Sequence, residues 1–170
     1  PIAMRYPRGN TAIWDENAAA PIQLGKGKVI QEGSDIALFA VGVMVETAIA
    51  VAEILEEQGL SVAVINARFV KPLDEELLQK FAKSCQLIVT LEENVIAGGF
   101  GSAVLESLQQ PGTVVPVQTI GLPDRYISQG SPEQQREEAG LSVTKIVGSI
   151  TGRLREIQPK SNKFRNVKAS

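Results

Sequence analysis

Residues 35–66 run Asp35-Ile36-Ala37-Leu38-Phe39-Ala40-Val41, Gly42-Val43-Met44, Val45 to Gln58, Gly59-Leu60, and Ser61-Val62-Ala63-Val64-Ile65-Asn66. The first block is an almost unbroken apolar run, the composition of a strand buried on both faces. Over 45–58 the period changes. Val45, Ala48, Ile49, Ala52 and Leu55 share one side and Glu46, Glu53, Glu56 and Glu57 the other, an amphipathic helix stopped by Gly59. Ser61 to Asn66 is apolar again. Strand, helix and strand in this order predict a parallel pair joined by a right-handed crossover.

The same alternation continues downstream. Asp74 is placed to cap a helix whose buried stripe is Leu77, Leu78, Phe81, Ala82 and Cys85. Gln86 to Leu91 is a third strand, and glycine-rich residues 98–101 open a helix through Gln110. Val114 to Ile120 is a fourth strand, placed at a sheet edge by Pro116. Ser131-Pro132-Glu133-Gln134 combines a cap, a proline at the first helical position and a capping-box glutamine, and this helix ends at Gly140. Ser142 starts a last helix with Val143, Ile146, Val147, Ile150, Leu154 and Ile157 on one face. Upstream, 25–33 is a short strand closed by a turn. The predicted fold is a three-layer α/β/α domain, its mostly parallel sheet covered on both faces.

The chain has 170 residues, 44% of them apolar, enough for one domain with a proper core. A net charge of −2 leaves no basic excess for a nucleic-acid surface. No apolar run reaches the roughly 20 residues of a membrane helix. Cys85 is the single cysteine, which precludes an internal disulfide and fits a reducing compartment; its position at a helix end suggests a buried structural thiol. With no histidine there is no Ser-His-Asp triad and no histidine metal site. Neither a phosphate-binding G-x-x-x-x-G-K-[ST] loop nor a G-x-G-x-x-G strand–helix turn occurs.

The first ten residues, Pro1 to Asn10, have no initiator Met and set Arg5 and Arg8 around Tyr6-Pro7 before a Gly9-Asn10 turn. They read as a strand running into a loop, so the chain is expected to open in the last strand of a domain lying upstream. The plainer reading makes both arginines solvated charges on a frayed terminus. Residues 11–25 read as linker, with Trp14 pinning it to a surface, and 158–170 as a polar, basic, disordered tail.

In parallel sheets, ligands bind beyond the carboxyl ends of the strands, here Gly42–Met44, Ala67–Asp74, Glu92–Gly101 and Gly121–Tyr126. Glu92-Glu93-Asn94 could serve as acid and base or hold a cation, while Gly98-Gly99-Phe100-Gly101 could bring backbone to an anion at a helix N-terminus. Alternatively, Glu93 and Asn94 bond neighbouring loop backbone, and the glycines allow positive φ and close helix–sheet packing. Arg68 and Lys71 could bind an anion; otherwise Phe69 and Leu73 staple the next helix while the charges pair with a neighbouring chain. Gly121 to Tyr126 reads as a turn that presents an aromatic interface anchor.

Taken in order, Arg5-Tyr6-Pro7-Arg8-Gly9, Arg68 to Asp74 (RFVKPLD), Val89 to Asn94 (VTLEEN), Gly98 to Glu106 (GGFGSAVLE), Gly121 to Asp124 and Gln129-Gly130 resemble the C-terminal part of the 1-deoxy-D-xylulose-5-phosphate synthase family. These are thiamine diphosphate enzymes related to transketolase. The resemblance covers about residues 1–150 and is specific in combination. It implies a five-stranded mixed sheet with the strand near Lys28 antiparallel to the rest. Residues 1–10 would close the pyrimidine-binding domain, 11–25 link, and 26–157 form the C-terminal domain.

The family resemblance also implies an activity: pyruvate joined to glyceraldehyde 3-phosphate with loss of CO2, by a homodimer in the bacterial cytoplasm or plastid stroma. The product is a precursor of isoprenoids, thiamine and pyridoxal. By the same resemblance Arg5 or Arg8 contacts the substrate phosphate, a role for which a guanidinium fork stiffened by Pro7 is well suited. The family's G-D-G…N element with its magnesium ligands, the glutamate that activates the thiamine ring and the active-site histidines have no counterpart here. The chain alone is therefore expected to bind neither thiamine diphosphate nor Mg2+ and to be inactive without its N-terminal domains. A second reading is a non-catalytic dimerisation and partner-docking domain of a 2-oxoacid dehydrogenase E1 β-type subunit. A third is a self-sufficient carboxylate enzyme using Glu92 and Glu93.

Overall fold

The computed structural model describes residues 21–109 and 114–157. The candidate residues Arg5, Arg8 and Trp14 and the segment 158–170 lie outside the described residues. The elements are β1 (Lys28–Gln31), β2 (Ile36–Ala40), α1 (Met44–Glu57), β3 (Val62–Asn66), α2 (Glu75–Ser84), β4 (Leu87–Val95), α3 (Phe100–Leu108), β5 (Val117–Leu122), α4 (Pro132–Ala139) and α5 (Val143–Ile157). The sheet is five-stranded, in the order β1-β3-β2-β4-β5. β2 pairs in parallel with both β3 and β4, and β4 with β5, whereas β1 runs antiparallel to β3.

Strand β2 shows why its sequence is apolar at every position. Ile36, Leu38 and Ala40 face a cluster built from α1 and α5, while Ala37 and Phe39 face a second cluster built from α2 and α3. In register, Leu38 sits between Val64 of β3 and Val89 of β4. On the second face, Phe39 meets Phe81 edge to face with ring centroids 6.0 Å apart, the geometry that aromatic quadrupoles favour. Each such fully buried side chain contributes about 1.5–3 kcal/mol of transfer free energy.

The helix ends follow the sequence closely. Gly59 takes φ 84°, and the Leu60 N–H reaches back to the Leu55 carbonyl at 3.2 Å, which closes α1 with the hydrogen bonds of a Schellman turn. Asp74 caps α2, accepting from the Leu77 N–H at 3.2 Å, and also accepts the Gly27 N–H at 3.0 Å. One side chain thus ties the approach to β1 to the start of α2. Ser131 and Gln134 form the expected capping box on α4, and Gly140 ends it with φ 82°. Cys85 is buried at the C-terminal end of α2.

Some boundaries differ from expectation. Strand β4 continues to Val95, so Glu92, Glu93 and Asn94 belong to the strand; its pairing with β5 is interrupted between Leu91 and Val95. Strand β5 starts at Val117. Pro116 stands just outside this edge strand, where its carbonyl accepts from Ile88 at 3.0 Å and its missing N–H costs no ladder bond. Gly121 and Leu122 are strand residues too, and the following turn begins at Pro123. Val51, absent from the predicted stripe of α1, is fully buried because that helix packs on the sheet and against α5 at once.

Candidate functional site

Helices α1 and α3 leave the neighbouring central strands β2 and β4 on opposite faces of the sheet, which opens a crevice at the carboxyl edge. It measures about 470 Å³ and is lined by Val41–Val43, Val70, Glu92–Asn94 and Gly98–Phe100. A wider groove of about 1000 Å³ adjoins it, sharing Val70, Gly98 and Gly99 and extending past Leu24, Pro72 and the start of α2.

Glu92 dominates the crevice floor. It is 3% exposed, and its carboxylate accepts the N–H of Phe100 through Oε2 and of Gly101 through Oε1, both at 2.8 Å. Helix α3 has no cap from Gly99, so this carboxylate, eight and nine residues upstream, does the capping. A negative charge there satisfies orphan N–H groups and faces the positive end of the helix dipole.

The glycines permit this approach. A Cβ on Gly99 would overlap the Glu92 carboxylate, and one on Gly121 would stand 2.9 Å from Glu92 Cγ. One on Gly101 would stand 2.6 Å from Thr119 Cγ2 and 2.8 Å from Thr90 Oγ1. Gly98 adopts φ 72°. Of the two sequence readings of this segment, close packing and positive φ is the one found.

An anion would find the N-terminus of α3 already occupied. A thiamine diphosphate does not fit there, because its diphosphate would meet the Glu92 carboxylate where it needs free N–H donors. At α1 the Met44 and Val45 N–H groups turn back to the carbonyls of Val41 and Gly42 at 3.3 and 3.2 Å. Among the described residues no cluster of three acidic or cysteine side chains could hold a metal ion.

Glu93 departs from expectation. Instead of bonding loop backbone, it forms an ion pair with Arg136 Nε of α4 at 2.9 Å. No spacing in the sequence signals that partner, because α4 reaches β4 only through the fold. Glu92 and Glu93 point to different surroundings, one saturated by backbone and the other paired with a guanidinium, so they do not form an acid–base couple.

Arg68 and Lys71 are not brought together at an anion site. Arg68 has φ 59°, held by its own N–H bonding Asn66 Oδ1 at 3.0 Å and by the Phe69 N–H on the Ala67 carbonyl. Asn66 is the signal that could have revealed this turn. Lys71 lines the larger groove, whose charge is set by Asp74, Glu75, Glu76 and Glu106 against Lys26 and Lys71. An anion is not favoured there. Lys26 bridges Glu76 at 2.7 Å and Asp74 at 3.4 Å, contacts that push its pKa up. Leu73 packs on the core face of α2 as expected. Tyr126 is fully exposed beyond the turn at Pro123.

A mixed five-stranded sheet in this order, with helices on both faces, defines a three-layer α/β/α domain. Residues 25–146 match the family described as Transketolase, C-terminal domain, and the chain belongs to it. The chain is also 48% identical over 153 residues to 1-deoxy-D-xylulose-5-phosphate synthase of Thermosynechococcus vestitus, and 52% identical over 151 residues to that of Desulforudis audaxviator. The first alignment covers 88% of this chain and the second 86%, but each covers 24% of the relative, so the chain spans about a quarter of those proteins.

Among solved structures, a split gene transketolase in an inactive beta4 tetramer is similar with a TM-score of 0.78 and 30% identity, covering 87% of this chain and 48% of that one. Transketolase from Campylobacter jejuni shares the fold, with a TM-score of 0.57 and 17% identity over 75% of this chain and 18% of its own.

Proposed function

We propose that this chain is the C-terminal section of a 1-deoxy-D-xylulose-5-phosphate synthase, a thiamine diphosphate-dependent transferase that joins pyruvate to glyceraldehyde 3-phosphate with loss of CO2. The observation that carries the reading is identity of 43–52% to several proteins of that name over most of this chain. In this reading thiamine diphosphate and Mg2+ are held by the preceding domains, and the filling of this domain's glycine-rich helix start by its own glutamate supports that.

In this reading residues 1–10 end the pyrimidine-binding domain, 11–25 link, and 26–157 form the C-terminal domain. Arg5 or Arg8 holds the substrate phosphate in a homodimer of the whole enzyme, in the bacterial cytoplasm or plastid stroma. Among the described residues no helix is long and apolar enough to cross a membrane. The alternative docking domain of a 2-oxoacid dehydrogenase is not favoured, because the named relatives are synthases.

The test is pyruvate-dependent CO2 release with glyceraldehyde 3-phosphate, thiamine diphosphate and Mg2+. The chain joined to its preceding domains is expected to be active and the chain alone inactive. Activity of the chain alone, or inactivity of the joined protein, overturns the reading.

A further inference from the structure

Gly121 and Leu141 are both buried, yet no residue between them is. That stretch includes all of α4, a helix without one buried side chain. Its organisation is internal and polar. Arg125 pairs with Glu138 at 2.9 Å, Glu138 also accepts the Ser128 N–H, and Gln135 donates to the Ser128 carbonyl at 3.3 Å. The Ser131–Gln134 capping box adds to this.

Outward, the segment is tied by charge. Arg136 reaches Glu93 at 2.9 Å and Lys145 of α5 reaches Glu137 at 2.9 Å, while Leu122 and Ala139 pack partly on the core at its two ends. Half-exposed ion pairs are weak and screened by salt. A segment whose bonds are mostly internal, which is tied outward chiefly by exposed ion pairs and has no core of its own, opens locally as a unit.

We infer that residues 123–139 form a strap that opens as one piece, independently of the sheet, and that the Arg136–Glu93 pair is the latch joining it to the carboxyl-edge crevice. With the strap closed, the Glu93 carboxylate in the crevice wall is neutralised by a guanidinium. With it open, Glu93, which lines the crevice, is left as an unpaired negative charge.

Hydrogen–deuterium exchange on the full chain tests this. Peptides from 123–139 should exchange faster than those of β2, β4 and α5. Raising KCl from about 0.05 to 1 M, which cuts the screening length from above 10 Å to about 3 Å, should accelerate that segment alone. Arg136→Gln should do the same by about threefold, the scale of one weak surface pair, whereas Arg153→Gln, which removes the Arg153–Glu156 pair within α5, should leave it unchanged. The proposal fails if 123–139 is as protected as α5, or exchanges only together with β4. It also fails if neither salt nor Arg136→Gln moves it.

Discussion

Glu92 Oε1 accepts the backbone N–H of Gly101 at 2.8 Å. A strand carboxylate is thereby the cap of a helix that begins on the far side of a glycine turn. The relationship accounts for two sequence features at once, a buried acidic residue and a run of glycines, and it closes the position where a ligand anion would sit. Gly99 belongs to it because a Cβ there would overlap the carboxylate.

Removing that carboxylate should therefore be costly. Glu92→Ala strands two N–H groups in the interior and should lower unfolding free energy by about 2–4 kcal/mol, with Glu92→Gln milder because its amide oxygen still accepts. Gly99→Ala should cost about 1–3 kcal/mol through overlap. In urea unfolding the double variant should lose less than the sum of the two singles, since part of the Gly99 clash is with Glu92 itself. Strict additivity would contradict the assignment.

Asp74→Ala should cost about 1–2 kcal/mol, as for other helix caps. It also frees the Gly27 N–H, so amide exchange should rise at both the start of α2 and the turn before β1. A rise confined to α2 would show that the link across 47 positions contributes nothing.

Acid should loosen α4 before the sheet. Arg125 and the Ser128 N–H hold the Glu138 carboxyl below its ordinary 4.5, and the Ser142 hydroxyl and Lys145 do the same for Glu137. A carboxyl depressed in the folded state contributes stability that is complete above its unfolded value and fades as pH falls through the folded one. Backbone NMR shifts of α4 should therefore begin to drift below pH 4.5, while β2 and β4 stay fixed. Coincident loss of all three elements would count against a separately held helix.

Burial pushes the Cys85 thiol above its ordinary pKa, so little thiolate is available near neutrality. Its reaction with a disulfide reagent at pH 8 should be slow in the folded chain and fast in urea. Rapid labelling without denaturant would show that the end of α2 is open.

If the chain is the section of a synthase proposed above, then in that whole protein one of Arg5→Ala and Arg8→Ala should raise KM for glyceraldehyde 3-phosphate about 10- to 100-fold, the scale of one charge-assisted phosphate contact, and leave KM for pyruvate unchanged. An equal effect on both substrates, or on neither, would remove the arginines from the phosphate site.

The layered fold is legible in the sequence because burial on two faces leaves β2 with no polar position, and because Gly59, Asp74 and Ser131 mark helix ends by local chemistry. Ends set by long-range pairing are less so. The extension of β4 past Glu92 depends on β5 lying alongside, and the late start of β5 depends on which edge Pro116 meets.

The candidate site divides along the same physical line. That acidic residues and glycines gather at the carboxyl end of β4 and just after it is a matter of order along the chain, read directly from Glu92 to Gly101. Which carboxylate turns inward to the α3 N–H groups and which meets Arg136 follows from how the crossover helix and α4 pack, bringing together partners 8 and 43 positions apart. Local chemistry along the chain carries no record of that packing. Hydrogen bonds and ion pairs act only over a few ångströms, so the role of each glutamate exists only once the layers have closed.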